Sequence, residues 1–298
     1  MSTPLRLATT TSTNDTGLLS KLRQDFLDSA YYDYDIAGWE SVGTGAAIAL
    51  GQAGLVDVLL THARVQEEAF VTSGAGLVRT HLMYNEFLLV GPAGQITPAS
   101  SLEDAFGQIA AGTAAAPLRF VSRHDSSGTN IRELDIWDHL DPPVDPNLVA
   151  GYYPLEEEDE DRGMMATLIL AGGGDSERNP NGLIYYTLTD NGTWLKFQDE
   201  HSDLAANLQV LSQSPDPWGL NQYAVTTIDP AYPFNPAPPS PIDLTGAEAF
   251  VTWLLSAEGK ESINTYTFFN TALFTYNADE DEPDSPFTRK LRRTIMTD

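Results

Sequence analysis

Three loops of the sequence place hydroxyl groups or glycine amides where a helix is predicted to begin: Thr10–Thr13, Gly43–Gly45 and Ser127–Asn130. The first turn of a helix has unpaired backbone N–H groups and about half a positive charge, so it attracts anions. Each loop follows a predicted strand, and ligands of open α/β sheets bind beyond the carboxyl ends of the strands. We therefore expect the three loops to share one anion site.

Arg123 follows the predicted strand Leu118–Val121 and adds a full positive charge to the third loop. Its guanidinium carries a planar set of N–H donors that suits an oxyanion. The alternative is a salt bridge with Asp125 that holds the loop without touching a ligand. The sequence leaves both interpretations open.

The same loop also offers the residue types of a hydrolase in Ser122, His124 and Asp125. Neighbouring residues of one loop point in different directions, whereas a catalytic triad needs a base that a third group orients. We therefore keep hydrolysis as the weaker alternative, expect no enzyme activity and assign no catalytic residue.

No metal site is expected, because the chain has no cysteine and its histidines are scattered singly. The acidic run Glu156–Asp161 lacks the spaced ligands and the glycine of a calcium loop. We expect this run to be solvated, and its role stays open.

Alternating strands and helices must position these loops. Apolar spacing predicts strands at Pro4–Thr9, Asp57–Leu60 and Leu82–Val90, and helices at Leu102–Ala110 and Leu244–Leu255. Such alternation is typical of an α/β fold with a largely parallel sheet. A length of 298 residues favours two lobes, because single cores stop growing near about 250–300 residues.

The charge balance excludes several classes of partner. The chain has 42 acidic and 16 basic residues and a net charge of -26, which disfavours nucleic acid and anionic membranes. No apolar run approaches the roughly 20 residues that cross a bilayer. The residues before Leu5 do not form the charged segment and the following apolar segment of an export signal. We therefore expect any export signal to be absent from this chain.

Nine blocks of the sequence, in one order between Leu5 and about Phe274, resemble the tungstate-binding proteins of ABC importers. Each block is weak alone, and their common order makes the resemblance specific. The blocks are Thr9–Thr13, Val42–Gly45, Asp57–Leu60, Met83–Phe87 with Val90–Pro92, Ser122–Thr129, Gly163-Met164 with Thr167-Leu168, Tyr186–Thr193, Asn221–Tyr223 and Trp253–Gly259.

The resemblance implies a two-lobed α/β fold of the type II periplasmic-binding class with a two-segment hinge. Lobe 1 would comprise residues 1–91 and 226–298 and lobe 2 residues 92–225, with the ligand held in a cleft between them. The resemblance places seven residues where the binding loops of the family stand: Thr10, Thr11, Ser12, Thr44, Arg123, Ser127 and Thr129.

The expected ligand is a tetrahedral oxyanion, tungstate or molybdate, with no cofactor. The resemblance also implies an extracytoplasmic protein and an ABC importer permease as partner, although a secreted relative without a transporter stays open. We expect a monomer.

Two departures from the family pattern leave the choice of oxyanion open: His124 stands where a glycine is usual, and Asn191 where an arginine is usual. Phosphate is the alternative ligand, because Arg123, Asp125, Ser127 and Thr129 also resemble the second-lobe loop of phosphate-binding proteins. Hydrogen phosphate carries a proton that needs an acceptor, whereas tungstate needs donors alone.

Overall fold

The computed structural model describes residues 3–30, 33–155, 163–213 and 219–283. Its contacts divide the chain into two units, Met1–Asn85 with Gln222–Glu282 as unit 1 and Glu86–Asn221 in unit 2. The acidic run Glu156–Asp161 lies outside the described residues.

Unit 1 begins with four strands that alternate with helices. The strands are β1 (Thr3–Thr10), β2 (Tyr34–Val42), β3 (Val58–Thr61) and β4 (Gly76–Gly91), and the helices are α1 (Thr11–Asp15), α2 (Leu18–Leu27), α3 (Thr44–Gln52) and α4 (Arg64–Thr72).

Unit 2 alternates in the same way over its central segment. Its elements are α5 (Leu102–Ala110), β5 (Phe120–Ser122), α6 (Gly128–His139), a 3₁₀ turn (Pro146–Leu148), β6 (Tyr152–Pro154), α7 (Met164–Ala171), β7 (Thr187–Asp190), α8 (Asn191–Glu200), α9 (Ser202–Ala205) and β8 (Gln209–Gln213).

The chain then returns to unit 1. The remaining elements are β9 (Leu220–Ile228), α10 (Leu244–Leu254), α11 (Ala257–Asn264), β10 (Thr267–Phe268), β11 (Thr271–Ala272) and β12 (Thr275–Tyr276).

The sheet of unit 1 has the strand order β12-β4-β9-β3-β1-β2. β1 pairs in parallel with β2 and β3, whereas β9 runs antiparallel to β3 and β12 antiparallel to β4. The expectation of a largely parallel sheet is therefore wrong. The reason is that β4 and β9 carry the chain from one unit to the other, and the direction of such strands does not follow from a strand–helix–strand repeat.

The two passages between the units lie inside strands. The division falls between Asn85 and Glu86 and between Asn221 and Gln222, within β4 and β9. The sequence predicts instead one lobe of residues 1–91 with 226–298 and another of residues 92–225. These bounds put the passages near the strand ends, because sequence patterns indicate where a strand stops. A strand shared by two units carries no such mark.

Each unit has its own apolar core. In unit 1, Ala47 and Ile48 of α3 pack with Leu59 of β3 and Phe70 of α4. In unit 2, the residues Phe87–Gly91 of β4 pair antiparallel with β7 and β8. The aromatic residues Tyr185, Tyr186, Trp194 and Phe197 are buried there. No helix among the described residues combines the length and the apolar character needed to cross a bilayer.

Candidate functional site

The first two predicted loops meet at one edge of the unit 1 sheet. Thr10 at the end of β1 pairs with Val42 at the end of β2, in parallel. α1 begins directly after β1, and α3 begins after the single residue Gly43. The two predicted helix starts are therefore confirmed, and they are brought side by side because the carboxyl ends of parallel strands share an edge.

The hydroxyl of Thr44 is buried at the start of α3. Thr44 is 1% exposed, and its Oγ1 has no hydrogen-bond partner among the described residues. The preceding Gly43 is the N-cap and has no side chain that could accept from the N–H groups of the first turn. A buried hydroxyl without a partner is uncommon and costs free energy, so this end of α3 offers a donor that no described residue uses.

A chain of hydroxyl groups lies beside this helix start. Thr10 Oγ1 is 3.1 Å from the hydroxyls of both Ser12 and Thr13, and Ser12 Oγ is 3.1 Å from Tyr223 Oη. Tyr223 is fully buried, and its ring stacks on His62 at a centroid distance of 5.0 Å. Thr10 does not cap α1 with its side chain, because its hydroxyl is engaged in this chain.

Thr11 differs from its neighbours in that it is exposed. It is the first residue of α1, so its backbone N–H belongs to the turn in which a helix leaves its donors unpaired. Unit 1 thus collects Thr10, Thr11, Ser12 and Thr44 from two adjacent helix starts.

The third predicted loop, Ser127–Asn130, lies in unit 2 at the start of α6. Residues 123–127 lead into it, and we call them the Arg123 loop. It joins the end of β5 to the start of α6. Asp125 lies at its centre: Oδ2 accepts from Arg123 Nε at 3.0 Å and Nη2 at 2.6 Å, and Oδ1 accepts from the Ser127 backbone N–H at 3.0 Å. The salt bridge considered as the alternative for Arg123 is therefore present.

Two residues of the Arg123 loop have a left-handed backbone. His124 has φ 48° and Ser126 has φ 57°, a region that costs an L residue about 1–2 kcal/mol and that glycine adopts freely. This geometry is a physical reason for a glycine to be usual at position 124. Because two such residues flank Asp125, the surrounding contacts must hold the loop in place.

The start of α6 shows the predicted capping. Ser127 Oγ accepts from the Asn130 N–H at 3.3 Å, while its own hydroxyl proton remains available as a donor. Thr129, in the same first turn, is 4% exposed. The Arg123 loop and the first turn of α6 together therefore provide a cation, two buried hydroxyls and a helix start.

A buried carboxylate lies behind the Arg123 loop. Glu133 of α6 is 2% exposed, and burial raises its pKa to about 7, although hydrogen bonds from four neighbours act in the opposite direction. The four donors belong to Ser122, Asn130, Trp137 and Tyr152.

The three residues considered for hydrolysis do not form a triad in this arrangement. Ser122 is fully buried and its Oγ donates to Glu133 Oε2 at 2.6 Å. The ring of His124 has its Nδ1 3.3 Å from the Leu155 carbonyl oxygen. Asp125 is bonded to Arg123 and not to an imidazole. These contacts lack the nucleophile–base hydrogen bond that the mechanism needs.

Three residues near the candidate site were not assigned a role from the sequence: Tyr223, Asn130 and Glu133. Tyr223 touches Ser12 from a strand 211 residues further along the chain, and no local pattern reports such a contact. Asn130 lies in a predicted loop, and its position three residues after the N-cap Ser127 is the signal that could have indicated its bonds.

The chain is similar to known proteins over most of its length. Residues 2–258 match the PBP superfamily domain. TupA, a tungstate-binding protein of Peptoclostridium acidaminophilum, is 34% identical over 279 residues, which are 91% of this chain and 85% of that protein. A Haloferax volcanii protein, named as a candidate anion-binding protein of an ABC transporter, is 36% identical over 283 residues, 94% of this chain and 73% of its own length. The solved structure of the tungstate-binding protein TupA from Desulfovibrio alaskensis G20 is 34% identical, with a TM-score of 0.73, and the match covers 92% of this chain and 99% of that one.

Proposed function

This chain belongs to the PBP superfamily, and we propose that it binds a tetrahedral oxyanion, tungstate or molybdate, without changing it chemically. The fold is that of the type II periplasmic binding proteins. The relatives that carry the name tungstate-binding protein match nine-tenths of this chain, and their named ligand supports the proposal.

The observation that carries the proposal is the hydroxyl of Thr44. Within the part of the chain that the structure describes, it is buried without a partner at the start of α3, which follows the strand β2 that pairs with the Thr10 end of β1. An oxyanion would accept from this hydroxyl and from the first-turn N–H groups of α3, which relieves the unpaired donor and places negative charge at the positive end of a helix.

As the resemblance to the tungstate-binding proteins implies, we propose that both units supply donors to one ion. In unit 1 these are the hydroxyls and helix-start amides of Thr10, Thr11, Ser12 and Thr44. In unit 2 they are the Arg123 guanidinium and the first turn of α6. Arg123 Nη1 donates to no described residue, so it is available even though Nε and Nη2 are bonded to Asp125. The unit 2 set is Arg123, Ser127 and Thr129.

The affinity would come from short hydrogen bonds to the ion and not from the electrostatic field of the whole protein. A net charge of -26 repels a dianion at long range, and salt screens this repulsion beyond about 10 Å at 0.1 M ionic strength. Charge-assisted hydrogen bonds in a desolvated site are the strong ones. We therefore expect binding to strengthen as salt is raised from a low concentration.

Phosphate is the second candidate ligand, and the contacts of Asp125 argue against it. A carboxylate has about four acceptor positions, and Asp125 uses three of them for Arg123 and Ser127. Little acceptor capacity remains for the proton of hydrogen phosphate. An oxyanion without a proton, such as tungstate, matches a site made of donors.

We further propose that the protein works outside the cytoplasm, as a monomer that delivers its ion to an ABC importer permease. The proposed delivery to an importer is supported by the name of the Haloferax volcanii relative, an anion-binding protein of an ABC transporter. No covalent step and no cofactor are proposed.

Native mass spectrometry of the protein as purified tests this function. We expect one tungstate or molybdate ion for each chain when cells are grown with the metal, and a lower occupancy in the Arg123→Ala variant. A wild-type protein that retains neither ion, even after incubation with both, would contradict the proposal.

A further inference from the structure

The left-handed residues of the Arg123 loop are held by two side chains. The His124 N–H donates to Ser122 Oγ at 3.3 Å, and the Ser126 N–H donates to Asn130 Oδ1 at 3.1 Å. These bonds restrain the backbone on both sides of Asp125, which in turn is bonded to Arg123 and to the Ser127 N–H.

Glu133 determines how both side chains are oriented. Its Oε2 accepts the hydroxyl proton of Ser122 at 2.6 Å. A serine hydroxyl has one proton and two lone pairs, so both lone pairs of Ser122 then accept, from the His124 N–H and from Asn130 Nδ2, each at 3.3 Å. Because Asn130 Nδ2 faces Ser122 and Glu133 Oε2, its Oδ1 is directed to the Ser126 N–H.

The core of unit 2 fixes Glu133 itself. Its other oxygen, Oε1, accepts from Tyr152 Oη at 3.0 Å and from Trp137 Nε1 at 3.3 Å. Tyr152 comes from β6, and Trp137 lies one turn further along α6. The two oxygens of one carboxylate therefore connect the core on one side with the Arg123 loop on the other.

We propose that Glu133 is a positioning residue of the anion site: through Ser122 and Asn130 it holds the backbone of His124 and Ser126 in the conformation that presents Arg123 and Ser127 to the oxyanion. The role of Arg123 and Ser127 as ligands rests on the function proposed above. The restraint of the Arg123 loop by Glu133 does not depend on the identity of the ligand.

The test compares the two sides of the Glu133 carboxylate. Glu133→Met removes both acceptors, and Ser122→Ala removes only the connection to the Arg123 loop. Tyr152→Phe is the matched control, because it removes one donor from Oε1 and leaves every bond of Oε2. Two quantities are measured for each protein: the tungstate Kd by calorimetry, and amide hydrogen exchange of peptides that cover residues 123–127 without ligand.

We expect tungstate binding about tenfold weaker in Glu133→Met and Ser122→Ala, with faster exchange in residues 123–127. Tyr152→Phe should change both quantities much less than Ser122→Ala does, because Trp137 Nε1 still donates to Oε1. Equal losses in Tyr152→Phe and Ser122→Ala would overturn the inference, since they would reflect general weakening of the core. Wild-type exchange in Ser122→Ala would also overturn it, and this variant decides the question if Glu133→Met does not fold.

Failure of the proposed function has a different signature. A wild-type chain that does not bind tungstate contradicts the function, while the exchange of residues 123–127 in ligand-free Ser122→Ala still decides whether the Glu133 network holds the Arg123 loop.

Discussion

Arg123 is bonded to Asp125 through a single carboxylate oxygen, with Oδ2 accepting from both Nε and Nη2. The second oxygen of Asp125 accepts from the Ser127 N–H. Asp125 therefore fixes the guanidinium relative to the start of α6, and the salt bridge and the ligand role of Arg123 are compatible. Arg123 can hold the loop through Asp125 and also bind the ligand, and separate variants can distinguish these two contributions.

The first prediction concerns Arg123, the charged member of the proposed ligand set. A hydrogen bond to a charged group contributes about 1.5–3 kcal/mol, and each 1.4 kcal/mol is tenfold in affinity, so Arg123→Ala should weaken tungstate binding by roughly ten- to a hundredfold or more. Arg123→Lys should recover only part of this loss, because an ammonium lacks the planar donor set. Isothermal calorimetry measures both values.

Asp125→Asn is the matched control for Arg123→Ala. It weakens the ion pair and leaves the guanidinium in place, so we expect it to reduce affinity much less. If Arg123 acted only by holding the loop, the two variants would bind tungstate equally well, and Arg123 would be removed from the site.

The second prediction concerns the hydroxyl of Thr44, which has no hydrogen-bond partner among the residues described. A buried polar group without a hydrogen bond costs about 1–3 kcal/mol, so Thr44→Val should raise the free energy of unfolding of the ligand-free protein by about 1 kcal/mol. The same change should weaken tungstate binding by roughly three- to tenfold, because it removes one neutral hydrogen bond. Urea unfolding measures the change in unfolding free energy, and calorimetry measures the change in tungstate affinity.

Thr9→Val is the control for Thr44→Val. Thr9 is also fully buried, but its Oγ1 donates to the Leu60 carbonyl oxygen at 2.9 Å. We expect Thr9→Val to lower stability by about 1 kcal/mol and to leave affinity near that of the wild type. A loss of stability in Thr44→Val would show that its hydroxyl has a partner in the ligand-free protein.

Local chemistry made part of this site predictable. The helix starts at Thr11, Thr44 and Gly128 could be predicted because capping residues and apolar spacing act within a few residues. The hydrogen bonds of Glu133 could not be predicted, because Ser122 and Tyr152 lie 11 and 19 residues away on other elements. The antiparallel direction of β9 beside β3 is likewise a long-range outcome of packing, which is why a largely parallel sheet was the wrong expectation.

The third prediction is a pH dependence of stability that originates at Glu133. Its pKa is raised from 4.5 to about 7 in the folded protein. Between these pH values the folded chain holds a proton that the unfolded chain has lost, so the contribution of Glu133 to stability falls as the pH rises. The pKa difference corresponds to about 3 kcal/mol.

Glu133→Gln isolates this contribution, because glutamine does not titrate. The unfolding free energy of the wild type minus that of Glu133→Gln should decrease by about 3 kcal/mol from below pH 4.5 to above pH 7. Urea titrations across this range measure the difference. A constant difference would mean that the carboxyl titrates alike in the folded and unfolded states.

The fourth prediction tests the left-handed backbone at His124. His124→Gly should change the unfolding free energy by less than about 1 kcal/mol, because the relief of strain and the added freedom of the unfolded chain offset each other. His124→Val should be less stable than His124→Gly by about 1–2 kcal/mol, since a β-branched residue is strongly disfavoured at positive φ. Thermal unfolding of the two variants, side by side, tests the order. Equal stability would contradict a φ of 48° at this position.

Calorimetry of the wild-type protein with tungstate, molybdate, sulfate and phosphate tests the central proposal most directly. We expect one tungstate or molybdate ion to bind per chain, more tightly than sulfate and phosphate, because the site provides many donors and little acceptor capacity for a ligand proton. Tighter binding of phosphate than of tungstate would contradict this account and assign the site to the alternative oxyanion.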